Sequence, residues 1–230
     1  MRIVLPIAAL MLVAGCSAGG GDSAGDREIS SSAAPSNDSG PVSSAPSTPP
    51  GRVAGPPPAD APVAAVIAWV QGGTPADLGG FHSSRRDEDV TDLGDDVAFV
   101  TPAGTQCRTD ATMTGGALVC LVELADPPAQ PADVYGQWVG NWVDFAGAGA
   151  QVGSAHGDPG PFTTGTGPEL AYGSSLRFGD YQCRADPVGL FCVNFARQTG
   201  LRMSDAGVVP FGCLQEVAPP ADAGIRFECT

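Results

Sequence analysis

The segment FGDYQCRADPVGLFC at residues 178–192 decides the fold, because it has the pattern of a strand end, a turn, Q-C-R-x-D, a second turn and an apolar strand that ends on cysteine. Its apolar run, which continues to residue 194, is typical of a strand, and the Pro and Gly letters before it are typical of a turn. The segment FVTPAGTQCRTDATMTGGALVC at residues 99–120 repeats the pattern of Q-C-R-x-D, a turn and an apolar strand that ends on cysteine. The sequence therefore predicts two related disulfide-clipped hairpins, duplicated or convergent, within one domain.

Outward from these hairpins, β-branched and aromatic residues predict further short strands separated by Gly, Pro and Asp. A Gly-containing turn at 147–149 is predicted to join segments 142–145 and 151–153 as a hairpin. The predicted strands are 97–100, 117–124, 137–145, 175–178, 189–194, 208–211 and 225–228. The predicted fold class is mainly β: an α+β domain with one N-terminal helix and a small disulfide-stapled antiparallel β structure.

The predicted helix follows residue 60, where apolar residues recur with helical spacing. They are Val63, Val66, Ile67 and Val70, which lie on one helical face. Asp60 is the predicted N-cap, Pro62 fits the first turn, and the Gly72-Gly73 pair predicts the end. Trp69 lies just off the apolar face, where packing against the body of the domain is favoured over ligand stacking.

Cysteine usage predicts three disulfides. Of seven cysteines, Cys16 is set apart by its N-terminal context, which leaves Cys107, Cys120, Cys183, Cys192, Cys213 and Cys229. An even number in an exported chain indicates disulfides, and six cysteines allow 15 connectivities. Their order favours pairing each with its nearest neighbour, as three short-range pairs. Zinc binding is a weaker alternative, since close C-x₂₋₄-C pairs are missing and the chain has only two histidines. Free thiols are the third possible state of these cysteines.

Residues 1–15 have the pattern of a lipoprotein signal peptide. Arg2 is followed by an apolar stretch from residue 3 to 14, which is shorter than the roughly 20 residues of a membrane-spanning helix. Val13, Ala14 and Gly15 before Cys16 resemble the bacterial lipobox, and the resemblance implies that Cys16 receives a diacylglyceryl group and becomes the N-terminus. The alternative is a chance cysteine in an ordinary secretion signal. With the lipid, no other anchor is needed.

Residues 16–58 are predicted to form a disordered tether before a globular disulfide-bonded domain at residues 59–230. The tether consists mainly of Ser, Gly, Pro, Ala and Asp, a composition that cannot bury enough apolar surface to fold. A flexible chain of this length spans roughly 35 Å, and its Pro clusters lengthen it. The domain is thus expected to lie clear of the bilayer.

The charge of the chain restricts its partners. It has 25 acidic and 11 basic residues and a net charge of −14. Such a surface repels nucleic-acid phosphates and anionic lipid headgroups. We therefore expect no nucleic-acid partner, and membrane contact through the lipid on Cys16 alone.

Two segments contain side chains that could react or bind a metal ion, and neither segment has the spacing of a known site. Ser154, His156 and Asp158 share one Gly-rich segment, where a working triad geometry is rare and a solvated turn is favoured. An acidic run could supply oxygen ligands to Ca²⁺ but lacks EF-hand spacing, so a charged loop is favoured. The run consists of Asp87, Glu88, Asp89, Asp92, Asp95 and Asp96. No catalytic residue, metal or cofactor is predicted.

The densest aromatic region is the candidate ligand site. Tyr135, Trp138 and Trp142 are its proposed binding residues, with Phe145 on the opposite face of a continuous strand. Core packing is the competing interpretation, whereas exposed rings would indicate a groove for carbohydrate, lipid or protein.

Four motifs together support a family resemblance: F-x-T-P-x-G-x-x-C at 99–107, G-D-Y-x-C-x-A-D at 179–186, F-C-V-N at 191–194 and F-G-C at 211–213. With the lipobox and the Pro-rich stalk, the whole chain resembles the LppI-like mycobacterial lipoproteins, a group of actinobacterial exported proteins. The resemblance implies a cell-envelope lipoprotein modified at Cys16, and it brings no catalytic residues.

The function expected from the sequence is that of a non-enzymatic binding or scaffolding module at the outer face of the cytoplasmic membrane. Its partner would be an envelope protein, glycan or lipid. The alternative is an envelope hydrolase with a non-motif active site. Two histidines and no lysine leave few general bases, which favours the first function.

Overall fold

The computed structural model describes residues 55–155 and 160–230, and strands dominate them. Helix α1 is Val63–Gln71. The strands are β1 (Thr74–Pro75), β2 (Ser83–Arg86), β3 (Asp89–Asp92), β4 (Ala98–Val100), β5 (Gln106–Arg108), β6 (Leu118–Leu121), β7 (Trp138–Phe145), β8 (Gly149–Ala155), β9 (Ser174–Phe178), β10 (Tyr181–Asp186), β11 (Gly189–Asn194), β12 (Thr199–Ser204), β13 (Gly207–Phe211), β14 (Leu214–Val217) and β15 (Ala223–Cys229). Short 3₁₀ helices lie at Leu78–Phe81 and Gly160–Thr164. The predicted fold class is confirmed. The predicted signal peptide, Cys16 and most of the predicted tether lie outside the described residues.

Two sheets share one design. The first sheet has the order β14-β15-β8-β7-β6-β5-β4, and the second has the order β1-β9-β10-β11-β12-β13. Each contains five consecutive strands, β4–β8 or β9–β13, that run antiparallel in chain order as a meander. The β14–β15 hairpin extends the first sheet, and β1 adds to the second in the parallel sense. This parallel pair is the exception to the predicted antiparallel arrangement.

The disulfides are the three predicted nearest-neighbour pairs. Cys107 and Cys120 lie opposite each other on β5 and β6, and Cys183 and Cys192 do so on β10 and β11. Each of these bonds therefore joins the second and third strands of its meander. The two related hairpins thus correspond to one unit in each sheet. The third bond joins Cys213 and Cys229 at the β14–β15 hairpin.

The main core combines apolar side chains of both meanders. The first meander contributes Phe99, Leu118 and Phe145, and the second contributes Leu176 and Leu201, all fully buried. Burial of each such side chain contributes about 1.5–3 kcal/mol relative to exposure. The four cysteines of the hairpin disulfides belong to the same cluster, so the covalent bonds lie within the core.

Helix α1 covers the outer face of the second sheet. Val66, Trp69 and Val70 pack there in a second cluster with Phe191 and Phe211, and Trp69 meets the Phe191 ring at 4.7 Å between centroids. The predicted role of Trp69 in packing is confirmed, and the helix ends at Gly72 as predicted.

The predicted helix start is wrong by two residues. Pro62 occupies the N-cap position rather than the first turn, and no side chain caps it. Its carbonyl accepts the amides of Ala65 and Val66, so Asp60 lies outside the helix. Pro62 has an extended backbone with ψ of 140°, and this conformation delays the first helical residue to Val63.

Several strands were missed by the sequence patterns. They are β1, β2, β3, β5, β10, β12 and β14, most of which carry polar or charged residues on one face. The charged run 85–92 is a hairpin of β2 and β3 rather than a loop, and Asp87 turns it with φ of 54°. Within the described ranges, no helix is long and apolar enough to cross a bilayer.

Candidate functional site

The aromatic residues proposed for ligand binding do not form one exposed surface. Tyr135 is 94% exposed, whereas Trp142 is 2% exposed and packs edge-on against Phe162 at 5.4 Å between ring centroids. Trp138 is half-buried, and its Nε1 donates a hydrogen bond of 2.8 Å to the carbonyl of Pro128. Phe145 lies in the core, on the face opposite to Trp142 as predicted.

Gly153 leaves room for the ring of Trp138 against the first sheet. A Cβ atom at residue 153 would come within 2.6 Å of the Trp138 ring, and the backbone there has φ of +74°. Glycine alone satisfies both conditions without strain. Trp138 is therefore a packed side chain. Gly153 lies against its ring, and the Pro128 carbonyl accepts the hydrogen bond from its Nε1.

The Ser-His-Asp segment is only partly described. Ser154 lies in β8 and is buried, with its Oγ 3.4 Å from Nε2 of Gln151. The prediction of a solvated turn is therefore wrong for Ser154, because β8 pairs with β7 on one side and β15 on the other. His156 and Asp158 lie outside the described residues.

Two carboxylates of the acidic run accept hydrogen bonds within the described structure. Asp92 accepts a hydrogen bond from the amide of Gly94, and Asp96 accepts from Thr109 Oγ1 and the amide of Ala111. Each carboxylate thus satisfies neighbouring backbone or hydroxyl donors. Throughout residues 55–155 and 160–230, no group of three or more His, Cys, Asp or Glu residues is placed to hold a metal ion.

The structure brings together a different site, at one end of the two sheets. A cleft of about 220 Å³ lies between the β4–β5 turn and the segment after β6 on one side, and the β10–β11 and β12–β13 turns on the other. We call it the end cleft. Its carboxylates are Glu123, Asp186 and Asp205, and Thr101 supplies a hydroxyl. None of these residues was predicted as functional.

Tight turns fix the walls of the end cleft. In the β4–β5 turn, the Thr101 amide donates to the Thr105 carbonyl, and the Gly104 amide donates to the Thr101 carbonyl, each at 2.9 Å. In the β10–β11 turn, Asp186 Oδ1 accepts from the Val188 amide at 3.1 Å. These local bonds hold the polar groups in place before any ligand arrives.

A further bond connects the two sides of the end cleft. The amide of Ala125, which follows β6 of the first sheet, donates to the carbonyl of Asp205 in the β12–β13 turn at 2.9 Å. This bond crosses from one sheet to the other. The spacing between the walls is therefore fixed by a backbone contact as well as by the core.

The chemistry of the end cleft is one-sided. Its lining residues include three carboxylates and no basic residue. Leu190 and Met203 supply an apolar floor, since both line the cleft and belong to the buried core. Thr101 is 5% exposed, and its Oγ1 is buried with no hydrogen-bond partner. Buried polar groups are nearly always hydrogen-bonded in proteins, so a hydroxyl without a partner within the described chain is unusual.

The opposite end of the sheets has a larger cavity with different chemistry. It measures about 390 Å³ and is lined by residues of both charges, including Asp180 and Arg197. Its buried polar groups have partners within the chain, because Asn194 Oδ1 accepts from the Arg197 amide and Tyr181 donates to the Phe145 carbonyl. Burial raises the pKa of Tyr181, which keeps the phenol protonated as this donor.

Two charged residues outside the end cleft are perturbed by burial. Burial raises the pKa of Asp144 on β7, and Arg226 on β15 partly offsets the effect. Gln151 of β8 lies in register between them and accepts from Arg226 at 3.3 Å. Burial likewise lowers the pKa of Arg108, which donates to Thr164 Oγ1 at 2.8 Å. Both groups are parts of sheet surfaces rather than of a cleft.

The end cleft is thus the best-formed candidate site in the described part of the chain. It joins four segments that are far apart in sequence, at residues 101–105, 123, 186–190 and 203–205. Sequence patterns could place these residues only in turns and strand ends, where functional residues are common. Comparisons of the chain with protein-family models, curated proteins and solved structures find no match.

Proposed function

We propose that this chain is a cell-envelope lipoprotein that acts as a non-enzymatic binding module at the outer face of the cytoplasmic membrane. The observation that carries the binding role is the end cleft, whose lining combines three acidic residues, a threonine with an unpartnered buried hydroxyl, and the apolar residues Leu190 and Met203. Small-molecule sites typically have this form: an apolar concave surface with a few fixed polar groups.

The residue types of the end cleft favour binding over catalysis. Its lining has no histidine, lysine or cysteine, so carboxylates and hydroxyls are the groups it offers for acid–base or nucleophilic chemistry. Carboxylates beside an apolar floor also suit charge and shape recognition. We therefore favour a binding module over an envelope hydrolase.

The disulfides and the N-terminal sequence support the location. Three disulfides in a small domain are typical of oxidising compartments outside the cytoplasm. The lipobox-like residues 13–16 and the resemblance to LppI-like lipoproteins point to the same compartment, with a diacylglyceryl group on Cys16 as the membrane contact.

The experiment is photo-crosslinking in living cells from two exposed positions of the full chain. Val188 lies in the β10–β11 turn beside the end cleft, and Val90 lies on the separate β2–β3 hairpin. A photo-activatable side chain at residue 188 should capture a binding partner, and the same group at residue 90 should not. The product from residue 188 should be lost when Glu123→Gln and Asp205→Asn are added. Equal capture from both positions, or capture insensitive to the cleft substitutions, would contradict the proposal.

A further inference from the structure

We propose that the end cleft binds an alkylammonium group, that is, a primary amine on a short aliphatic stem. This inference rests on the proposed function, because it names the ligand class of the same cleft. The stem and the charge would occupy different parts of the cleft: the ammonium lies among the carboxylates, and the methylene groups lie on the apolar floor.

The polar groups of the cleft match the hydrogen-bonding of an ammonium ion. Glu123, Asp186 and Asp205 are acceptors when ionised, and the Thr101 hydroxyl can also accept. An ammonium group carries three donors and no acceptor. An anion would be repelled by the carboxylates, and a neutral hydroxyl would leave their charge uncompensated.

The unpartnered Thr101 hydroxyl points to a ligand rather than to a surface feature. Acidic residues alone are common on a chain with a net charge of −14. A buried hydroxyl without a partner is different, because leaving it unpaired is unfavourable and native proteins rarely do so. Neighbouring atoms cover Thr101 Oγ1, so a ligand donor would have to displace them to reach it; the bond it then formed would be charge-assisted and would remove that cost.

The floor and the size of the cleft select the stem. Leu190 and Met203 present buried apolar side chains, and methionine adapts to ligand shape because its side chain is unbranched and flexible. The volume of about 220 Å³ is below the roughly 300–1,000 Å³ of drug-sized sites. It therefore suits a stem of a few methylenes. An apolar floor is also unfavourable for a hydrated metal ion, which needs oxygen ligands all round.

The ligand comes from outside this chain. The chain contains no lysine, so neither another segment of it nor a second copy supplies an alkylammonium side chain. Two sources remain, a free aliphatic amine or a lysine side chain of another protein. Both present the same group to the cleft, and the experiment separates them.

Methionine methyl NMR on the full chain gives a built-in control. Met203 lines the end cleft at 1% exposure, whereas Met113 is 63% exposed and is not part of the cleft. With ¹³C-methyl methionine, pentylamine should shift the Met203 signal to saturation and leave Met113 unmoved. Pentanol, its neutral counterpart, should leave both unmoved. N-acetyl-lysine methylamide tests the protein source, and tighter binding of it than of pentylamine would assign the cleft to lysine side chains.

The variants test each part of the recognition. Glu123→Gln, Asp186→Asn and Asp205→Asn should each weaken pentylamine binding roughly twofold to fivefold, as expected for partly exposed ion pairs. Thr101→Val should weaken it about tenfold through the lost charge-assisted bond, and Thr101→Ser should restore it. Asp180→Asn, at the opposite end of the sheets, should have no effect. Thermal unfolding of each ligand-free variant checks that it is folded.

Three results would overturn the inference: no shift of Met203 with amine, an equal shift with pentanol, or an equal loss of affinity in Asp180→Asn. The proposed function has a separate outcome. If crosslinking from residue 188 persists while amines do not bind, the ligand class is wrong and the binding module stands. If both experiments are negative, the proposed function fails with the inference.

Discussion

At the residue scale, two arginines illustrate the relation between the meanders. Arg108 and Arg184 each follow the first cysteine of a hairpin disulfide, in the Q-C-R-x-D motif. Because successive strand residues point to opposite faces, the cysteine enters the core and the arginine faces outward. Arg184 stacks on Trp69 of α1 at 3.9 Å from the ring centroid, and Arg108 lies over Phe162 at 6.0 Å. Each arginine thus connects its sheet to the segment that covers it.

These distances predict different pair energies. In double-mutant cycles, Trp69→Leu with Arg184→Met should show a coupling of about 1 kcal/mol in the free energy of unfolding. Phe162→Leu with Arg108→Met should show a smaller coupling, because that cation lies farther from its ring. Urea unfolding of the four proteins in each cycle measures both values. A larger coupling for the Arg108 pair would contradict the assignment.

Asp144 provides a pH-dependent prediction. Burial raises its pKa above the ordinary value of 3.8, so the folded state favours the protonated form. The stabilising contribution of this carboxyl is complete below pH 3.8 and is lost as the pH rises through the raised pKa. Asp144→Asn should therefore raise the melting temperature at pH 7, and the gain should shrink towards pH 3. A gain that is constant from pH 3 to pH 7 would contradict this origin.

At the element scale, the disulfides differ in access although all three close short loops. The four hairpin cysteines are buried, whereas Cys213 is exposed and Cys229 is half-buried. In the chain-entropy model, loops of this size contribute about 3 kcal/mol each. Access rather than loop length therefore separates the three bonds.

Mild reductant without denaturant should consequently open the Cys213–Cys229 bond first. A thiolate must reach a sulfur atom for exchange to occur, and only this bond presents an exposed cysteine. Alkylation followed by peptide mapping should find label at residues 213 and 229 while the other two bonds stay intact. Denaturant should make all three bonds react together. Early labelling of Cys183 or Cys192 in the native protein would show that β10 and β11 open more readily than their burial implies.

The elements also show what sequence patterns can and cannot predict. The bounds of β11 were predicted correctly, because a strand that is buried along most of its length consists mainly of apolar residues and is visible in the sequence. Strands β5 and β10 were missed because Gln and Arg flank each cysteine. These polar residues interrupt the apolar and β-branched runs by which the other strands were predicted. The turn hydroxyl of Thr101 could not be recognised as a site residue, because its lack of a partner is a property of the folded environment alone.

At the scale of the whole molecule, we predict that the proposed anchor and the folded domain act independently. The described domain has its own core and disulfides, and Cys16 lies outside it. The domain should therefore keep its stability when the lipid is absent, since its core and its three disulfides are formed among the described residues.

Cys16→Ala tests this separation in cells. The variant should lose membrane association and the mass of the lipid, because acyl chains supply about 0.8 kcal/mol per buried CH₂. Its melting temperature should match that of the unmodified chain. Membrane fractionation, mass spectrometry and thermal unfolding measure the three properties. A variant that stays membrane-bound with unchanged mass would disprove lipidation at Cys16.

The consecutive pairing of the cysteines has a consequence for the proposed export of the chain. Each partner follows within 9 to 16 residues, and no disulfide loop encloses another. A chain that crosses a membrane N-terminus first presents these cysteines one after another. If each pair oxidises soon after it emerges, the native bonds form in the order of emergence. Such a chain reaches its native connectivity without reshuffling, so an oxidase would suffice for its maturation and an isomerase would have nothing to correct.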